Sequence, residues 1–122
     1  MRILVSGGRS YSDRDAVWQA LDFWFNGRED EPVTVVHGGA NGADRLASGW
    51  VRKRRSEGLD NVSEEVHRAQ WGKHGRKAGP IRNSEMVAAG ADLMLSFPGG
   101  AGTFDCTSKA ARAGIRVFCV EG

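Results

Sequence analysis

Asp92-Leu93-Met94-Leu95-Ser96-Phe97-Pro98-Gly99-Gly100-Ala101-Gly102-Thr103 decides the fold. Its first half is short, mostly apolar and closed by a proline, which predicts a buried strand over residues 92–97. The second half sets glycines at 99, 100 and 102 ahead of an alanine-rich stretch, Phe104 to Ala113. That stretch reads as a helix with Thr103 or Asp105 as its cap. A strand, a glycine turn and a helix in that order form a backbone cradle for an anion. With no Cβ in the way, N–H groups approach a phosphate closely, and the helix N-terminus adds positive dipole. Pro98, Gly99, Gly100, Gly102 and Thr103 are the first candidate ligand contacts. Three glycines in four positions exceed what a plain strand-to-helix turn requires.

The same unit recurs upstream. Ile3-Leu4-Val5 runs into Ser6-Gly7-Gly8-Arg9, and a helical spacing of Val17, Leu21, Trp24 and Phe25 follows over residues 13–25, capped by Ser12 or Asp13. Val33-Thr34-Val35-Val36 is β-branched and runs into His37-Gly38-Gly39-Ala40-Asn41-Gly42, then a helix over residues 43–56. Residues 62–66 read as a weaker strand near a sheet edge. A long loop then leads to Pro80, an acceptable first-turn residue, and a helix over 81–89. A last strand covers residues 115–120. Alternation of this kind predicts a parallel α/β sheet with helices on both faces and the carboxyl ends of its strands along one edge. Ligands bind along that edge, near the point where strand order reverses. Three glycine loops leave strand ends there, adding Gly7, Gly8, Gly38, Gly39 and Asn41 to the candidate contacts.

Composition narrows the field. At 122 residues, 40% hydrophobic and 26% charged, the chain is expected to form one globular domain over residues 1–122. No apolar run approaches the ~20 residues needed to span a bilayer, and Met1–Val5 is too short for a signal-peptide core. A cytoplasmic protein with no membrane partner is expected. Cys106 and Cys119 form no CxxC pair and are expected as buried thiols. His37, His67 and His74 are dispersed, so neither a metal site nor a cofactor is expected. Net charge is only +2, but a glycine-rich basic loop carries Lys73, Arg76, Lys77 and Arg82 around Trp71, and suits phosphate contact. The run Arg52-Lys53-Arg54-Arg55 closes a helix, where cations complement the dipole and are ordinarily solvated.

Residues 36–44, Val-His-Gly-Gly-Ala-Asn-Gly-Ala-Asp, resemble the glycine-rich motif of the DNA-processing protein DprA and its relatives. Arg82-Asn83-Ser84-Glu85-Met86 followed by Pro98–Thr103 resembles the paired motifs of the LOG enzymes, which release free bases from nucleoside monophosphates. Residues 71–83 are similar to the small YspA-type SLOG proteins of bacteria and their phages. The resemblance covers nearly the whole chain. It implies a Rossmann-like three-layer α/β sandwich with a mostly parallel central sheet of about five strands, located in a bacterial or phage-infected cytoplasm. It also implies a nucleotide-like ligand and self-association as a homodimer or larger homo-oligomer.

In the LOG enzymes an arginine and a glutamate support glycosidic cleavage. Arg82 matches the arginine, but Cys106 occupies the glutamate position and Asp105 lies one residue, about 100° of helix rotation, away. A thiol neither stabilises the positive charge that develops on the sugar nor acts as a suitable acid. The leading reading is therefore a binding protein, a sensor or sequestering module for a nucleotide-derived phosphorylated ligand. The second is an N-glycosidase using Arg82, Glu85 and Asp105. The third, by analogy with DprA, is single-stranded nucleic-acid binding, disfavoured by the modest net charge. Arg82 is read as a forked phosphate clamp or a bond to a strand-end carbonyl, with Asn83 beside it as a further ligand contact. Arg9 is read as a ligand contact or a surface ion pair, Asp44 as a ribose contact or a cap of its own helix. Trp71 is expected to pack over the core, Trp18, Trp24 and Trp50 to serve as core or subunit contacts.

Overall fold

The computed structural model describes residues 1–121. Its centre is a sheet of five strands: β1 (Arg2–Ser6), β2 (Val33–His37), β3 (Val62–Val66), β4 (Leu93–Ser96) and β5 (Arg116–Cys119). The order is β3-β2-β1-β4-β5 and every pairing is parallel. The helices are α1 (Arg14–Phe25), α2 (Ala43–Ser56), the single turn α3 (Trp71–His74), α4 (Ala78–Ala89) and α5 (Ala101–Arg112), with a 3₁₀ turn, Gly75–Lys77, between α3 and α4. None of these helices is long and apolar enough to cross a membrane.

Side-chain alternation builds the two outer layers. In β1, β2 and β4 the residues Ile3, Val5, Val33, Val35, Leu93 and Leu95 all face one way, against Val17, Leu21 and Phe25 of α1 and Ala47, Trp50 and Val51 of α2. Leu4, Val36 and Met94 face the other way, against Met86 of α4 and Cys106 and Ala110 of α5. Register reinforces this, since Leu4 lies opposite both Val36 and Met94. Strands buried on both faces need no polar alternation, hence the near-continuous apolar runs in the sequence. Order reverses between β1 and β4, whose exit loops diverge and open a crevice at the carboxyl edge.

The expected elements are present, with shifted boundaries. α5 begins at Ala101, inside the glycine run and not after it, and its N-cap is Gly100 with no side-chain cap from Thr103 or Asp105. First-turn residues make few intrahelical bonds from their N–H groups, so glycine is inexpensive there. The anticipated loop before Pro80 contains α3 and the 3₁₀ turn, and α4 starts at Ala78, not Ile81. The terminal strands are one or two residues shorter than expected at their ends. Asp13 caps α1 as expected, accepting from Ala16 N–H at 3.0 Å. Cys106 is buried, whereas Cys119 is exposed because β5 is an edge strand with little covering it.

Two polar ties hold the layers in place. Asp22 of α1 accepts from the indole Nε1 of buried Trp50 at 2.8 Å and from Arg54 Nη2 at 2.7 Å, locking α1 to α2. The basic run at the end of α2 is thus engaged: Arg54 also bonds Glu57 and Arg55 bonds the Val62 carbonyl. Arg2 of β1 reaches past β2 to grip Glu65 of β3 through both terminal guanidinium nitrogens, at 3.0 and 2.8 Å, and His67 meets the same carboxylate at 2.7 Å.

Asp22→Ala strands the Trp50 N–H in the core and is expected to lower unfolding free energy by about 1–3 kcal/mol in urea at unchanged m-value. An unchanged midpoint would show the tie to be dispensable. Glu65, bonded by Arg2 and then His67, titrates at about 2 against an ordinary 4.5. Its stabilising contribution is complete above pH 4.5 and disappears as pH falls towards 2. The stability gap between the wild type and Glu65→Gln, small because the pair is partly solvated, is therefore expected to close across that window in acid titrations of unfolding.

Candidate functional site

The crevice is organised by backbone meeting backbone. Gly8 N–H donates to the Pro98 carbonyl at 2.8 Å, while the Gly8 carbonyl accepts from Ala43 N–H at 3.3 Å and Tyr11 N–H at 3.2 Å. These bonds draw together the loops after β1 and β4 and the start of α2. A Cβ on Gly7 would lie 2.6 Å from that of Ala43 and 2.9 Å from that of Phe97, and one on Gly99 would run into the Thr103 hydroxyl. Gly7 and Gly99 are thus explained by packing within the chain.

Gly100 and Gly102 are not. A Cβ on either would meet nothing within 4 Å. Both lie at the start of α5, where no side chain caps the helix and the N–H groups of Ala101, Gly102 and Thr103 have no partner among the described residues. These groups open beside a cleft of about 580 Å³ walled by Gly8, Arg9, Tyr11, Pro98, Gly99 and Gly100. The buried hydroxyl of Tyr11 is also without a partner among the described residues.

A second cleft, about 300 Å³, adjoins the first through Arg9 and is lined by Gly38, Gly39, Asn41, Arg68, Trp71 and Arg82. Its floor is the loop after β2. His37, buried at the end of β2, accepts Gly39 N–H on Nδ1 at 3.0 Å, so Nε2 carries the proton and donates to Glu64 at 2.9 Å. Asp44 Oδ2 accepts from Gly38 N–H at 3.0 Å and Ala40 N–H at 3.3 Å. Asp44 is thus committed to shaping the loop before α2 and does not cap its own helix, whose N-cap is Gly42 with no side-chain cap, while its buried Oδ1 lacks a partner among the described residues. Burial pushes its carboxyl above the ordinary aspartate range despite the nearby His37 and Arg82.

Arg82 reaches down from α4. Its Nη1 donates to the carbonyls of Gly38 at 2.9 Å and His67 at 3.3 Å, and its Nε to Asn83 Oδ1 at 3.0 Å. A side chain on Gly38 would collide with this guanidinium. Arg82 is therefore the strand-end carbonyl bond of the two expectations, with its remaining face on the cleft. Asn83, buried, donates onward to the Gly102 carbonyl at 3.2 Å and Asp105 at 3.0 Å. The pair clips the β2 loop to the start of α5, and Asn83 works from beneath the clefts, not as a wall of them.

The carboxylates of the glycosidase reading are not brought to the clefts. Glu85 is exposed and lines neither. Asp105 is held by Asn83 and Lys109; burial raises its pKa, but these bonds outweigh it and keep the group ionised. Cys106 lies wholly buried beneath, its thiol pushed up to about 11 by burial. That is an inert thiol.

Trp71 departs from expectation. It is 49% exposed, because a helix of four residues at the rim offers no apolar face to bury it, and the Arg9 guanidinium lies 5.3 Å from its ring centroid. Arg9 makes no ion pair among the described residues and lines both clefts, where the ligand contact was expected. Such a cation–π pair at an exposed site is worth about 0.5–1 kcal/mol. Trp50 is core; Trp24 stacks 5.0 Å from Phe118, and Trp18 donates to the Leu46 carbonyl. Three contributors were missed in the sequence: His37, Arg68 and Tyr11. His37 had a signal, an imidazole ending a buried strand beside a glutamate-bearing edge strand. Arg68 and Tyr11 had none.

A parallel sheet of this order, with glycine turns around clefts at its switch point, defines a Rossmann-like α/β protein. The chain belongs to the YspA, cpYpsA-related SLOG family, whose profile matches residues 1–74. It is 49% identical over 119 residues to the Gene 61 protein of Mycobacterium phage D29, covering 96% of this chain and 94% of that protein. That alignment takes in α4, β4 and α5, beyond the family match. No solved structure matches the chain significantly.

Asp44→Ala removes the acceptor of two loop N–H groups, one on fully enclosed Gly38. It is expected to cost about 1–3 kcal/mol in chemical denaturation. Asp44→Asn, which keeps a carbonyl oxygen for them, is expected to cost less, and equal losses would show that the charge matters more than the bonds.

Proposed function

We propose that this SLOG protein binds a nucleotide or nucleotide-derived phosphorylated ligand at the carboxyl edge of its sheet, as a sensor or sequestering protein. The observation that carries this reading is the start of α5. Two glycines there have no packing role within the chain, the helix carries no side-chain cap, and its N-cap Gly100 lines the first cleft. Uncapped N–H groups and the helix dipole together favour an anion of phosphate size. Arg9 supplies a positive charge shared by both clefts and bound to neither by a hydrogen bond among the described residues.

Binding is favoured over N-glycosidase chemistry by the state of the carboxyl groups. A general acid needs a carboxyl that keeps its proton near neutral pH and touches the leaving group. Asp105 is ionised and twice bonded, and Glu85 lines neither cleft. Asp44, whose carboxyl burial does raise, is spent on the loop.

The test is a thermal-shift panel of nucleoside mono-, di- and triphosphates. At about 100 times Kd the bound state gains about 2.7 kcal/mol, a rise of several degrees in Tm for a chain of this size. Gly100→Val is expected to abolish the shift while leaving the Tm of the protein alone nearly unchanged, since the added carbons enter open space. No shift with any nucleotide, or an undiminished shift in Gly100→Val, would overturn the reading.

A further inference from the structure

We propose that the second cleft is a base-stacking subsite in which Trp71 receives a planar heterocycle on the indole face now covered by Arg9, which in turn moves to the anion at α5. The ligand class is then a nucleoside phosphate and not a sugar phosphate or a free anion. This rests on the phosphate reading of the first cleft and adds to it the recognition of the base.

Four observations converge. Trp71 is one of the few large apolar side chains the protein leaves exposed, and it stands on the wall of a cleft. Its ring is seated from α4: a Cβ on buried Gly79 would touch the indole Cη2 at 3.4 Å, so the close approach positions the ring. Over it lies Arg9, a flat cation 5.3 Å from the ring centroid, in the position a stacked base would take.

Arg9 is also the movable member of the cationic set. Arg82 is fixed to the carbonyls of Gly38 and His67, and Arg68 bonds the Gly39 carbonyl at 3.3 Å. Arg9 makes no hydrogen bond or ion pair among the described residues, and it borders both clefts. A guanidinium gains more from charge-assisted bonds to a phosphate than from the face of an exposed ring. Phosphate in the first cleft therefore draws Arg9 off Trp71 and frees the indole. The base then stacks where the cation was, an interaction available to any base because each has a π-face. The second cleft, about 300 Å³, is at the small end for a ligand pocket, and joined to the first through Arg9 it houses one end of a single molecule.

The experiment compares nucleoside 5′-monophosphates, ribose 5-phosphate and inorganic phosphate by titration calorimetry on the full chain. The wild type is expected to bind at least one nucleoside monophosphate about 10-fold or more tightly than ribose 5-phosphate, the gain of a stacked base. Trp71→Leu removes that preference without weakening ribose 5-phosphate binding, since Arg9 no longer has to leave the indole, whereas Trp71→Phe keeps most of the preference. Arg9→Ala weakens nucleotide and ribose 5-phosphate alike. Trp71 emission changes with nucleotide but not with ribose 5-phosphate, and the change is absent in Trp71→Phe. Equal affinity for nucleotide and ribose 5-phosphate, or a Trp71→Leu loss shared equally by both, overturns the stacking subsite while leaving the phosphate site standing. Failure of every phosphate ligand to bind overturns both.

Discussion

The bond from Gly8 N–H to the Pro98 carbonyl is the constraint on which the rest depends. It crosses the point where β1 and β4 send their chains in opposite directions, and it brings two backbones so close that a Cβ on Gly7 or Gly99 would strike a neighbouring group. The carbonyl of Gly8 then receives the first N–H of α2, and Gly42, at φ +79, turns the chain so that this approach succeeds. Any side chain at Gly42 would enter the Gly8 carbonyl. The loops after β1 and β4 and the start of α2 are thus joined through main chain, and the clefts form between segments held to one another.

A second clip is made by side chains. Arg82 and Asn83 are adjacent on α4, yet one holds the β2 loop and the other the start of α5. The unpaired N–H groups of α5 therefore keep a fixed distance from the loop that floors the second cleft. Preorganisation of this kind reduces the ordering cost of binding. Arg9 stands outside both clips, a cation lining the site that makes no hydrogen bond or ion pair among the described residues.

Much of this architecture is legible in the residues. The apolar pattern of β1, β2 and β4 announces a sheet covered on both sides, and the glycine clusters at 7–8, 38–39 and 99–102 mark one edge. What escapes is whatever depends on which neighbour a residue meets in space. The glycines look alike in sequence, but Gly38 makes room for Arg82, Gly42 for a carbonyl, and Gly100 for nothing within the chain. Trp71 is read as core because tryptophan ordinarily is; its exposure follows from the brevity of α3, hidden in what looks like a loop. His37 passes as a scattered histidine until Glu64 arrives beside it on β3. Asp44 is read as a ribose contact or a helix cap, and its Oδ2 instead takes the N–H groups of Gly38 and Ala40 in the loop before α2.

The position that resemblance to the LOG enzymes assigns to a glutamate acquires a physical meaning here. Cys106 is fully enclosed with Leu4, Val36 and Met94 on the α5 side of the sheet, near enough to Asp44 that the latter's charge raises the thiol pKa. Asp44 is itself a buried carboxyl whose proton affinity is raised. A second carboxylate at 106 would bring two like charges into one poorly solvated pocket, where both do not ionise together. A thiol that stays protonated to about pH 11 adds neither charge nor nucleophile there. It leaves Arg82 to hold the loop instead of balancing a catalytic acid. On the binding reading proposed above, the Pro98–Thr103 loop serves ligand contact, and a thiol held protonated at Cys106 adds no acid beside it.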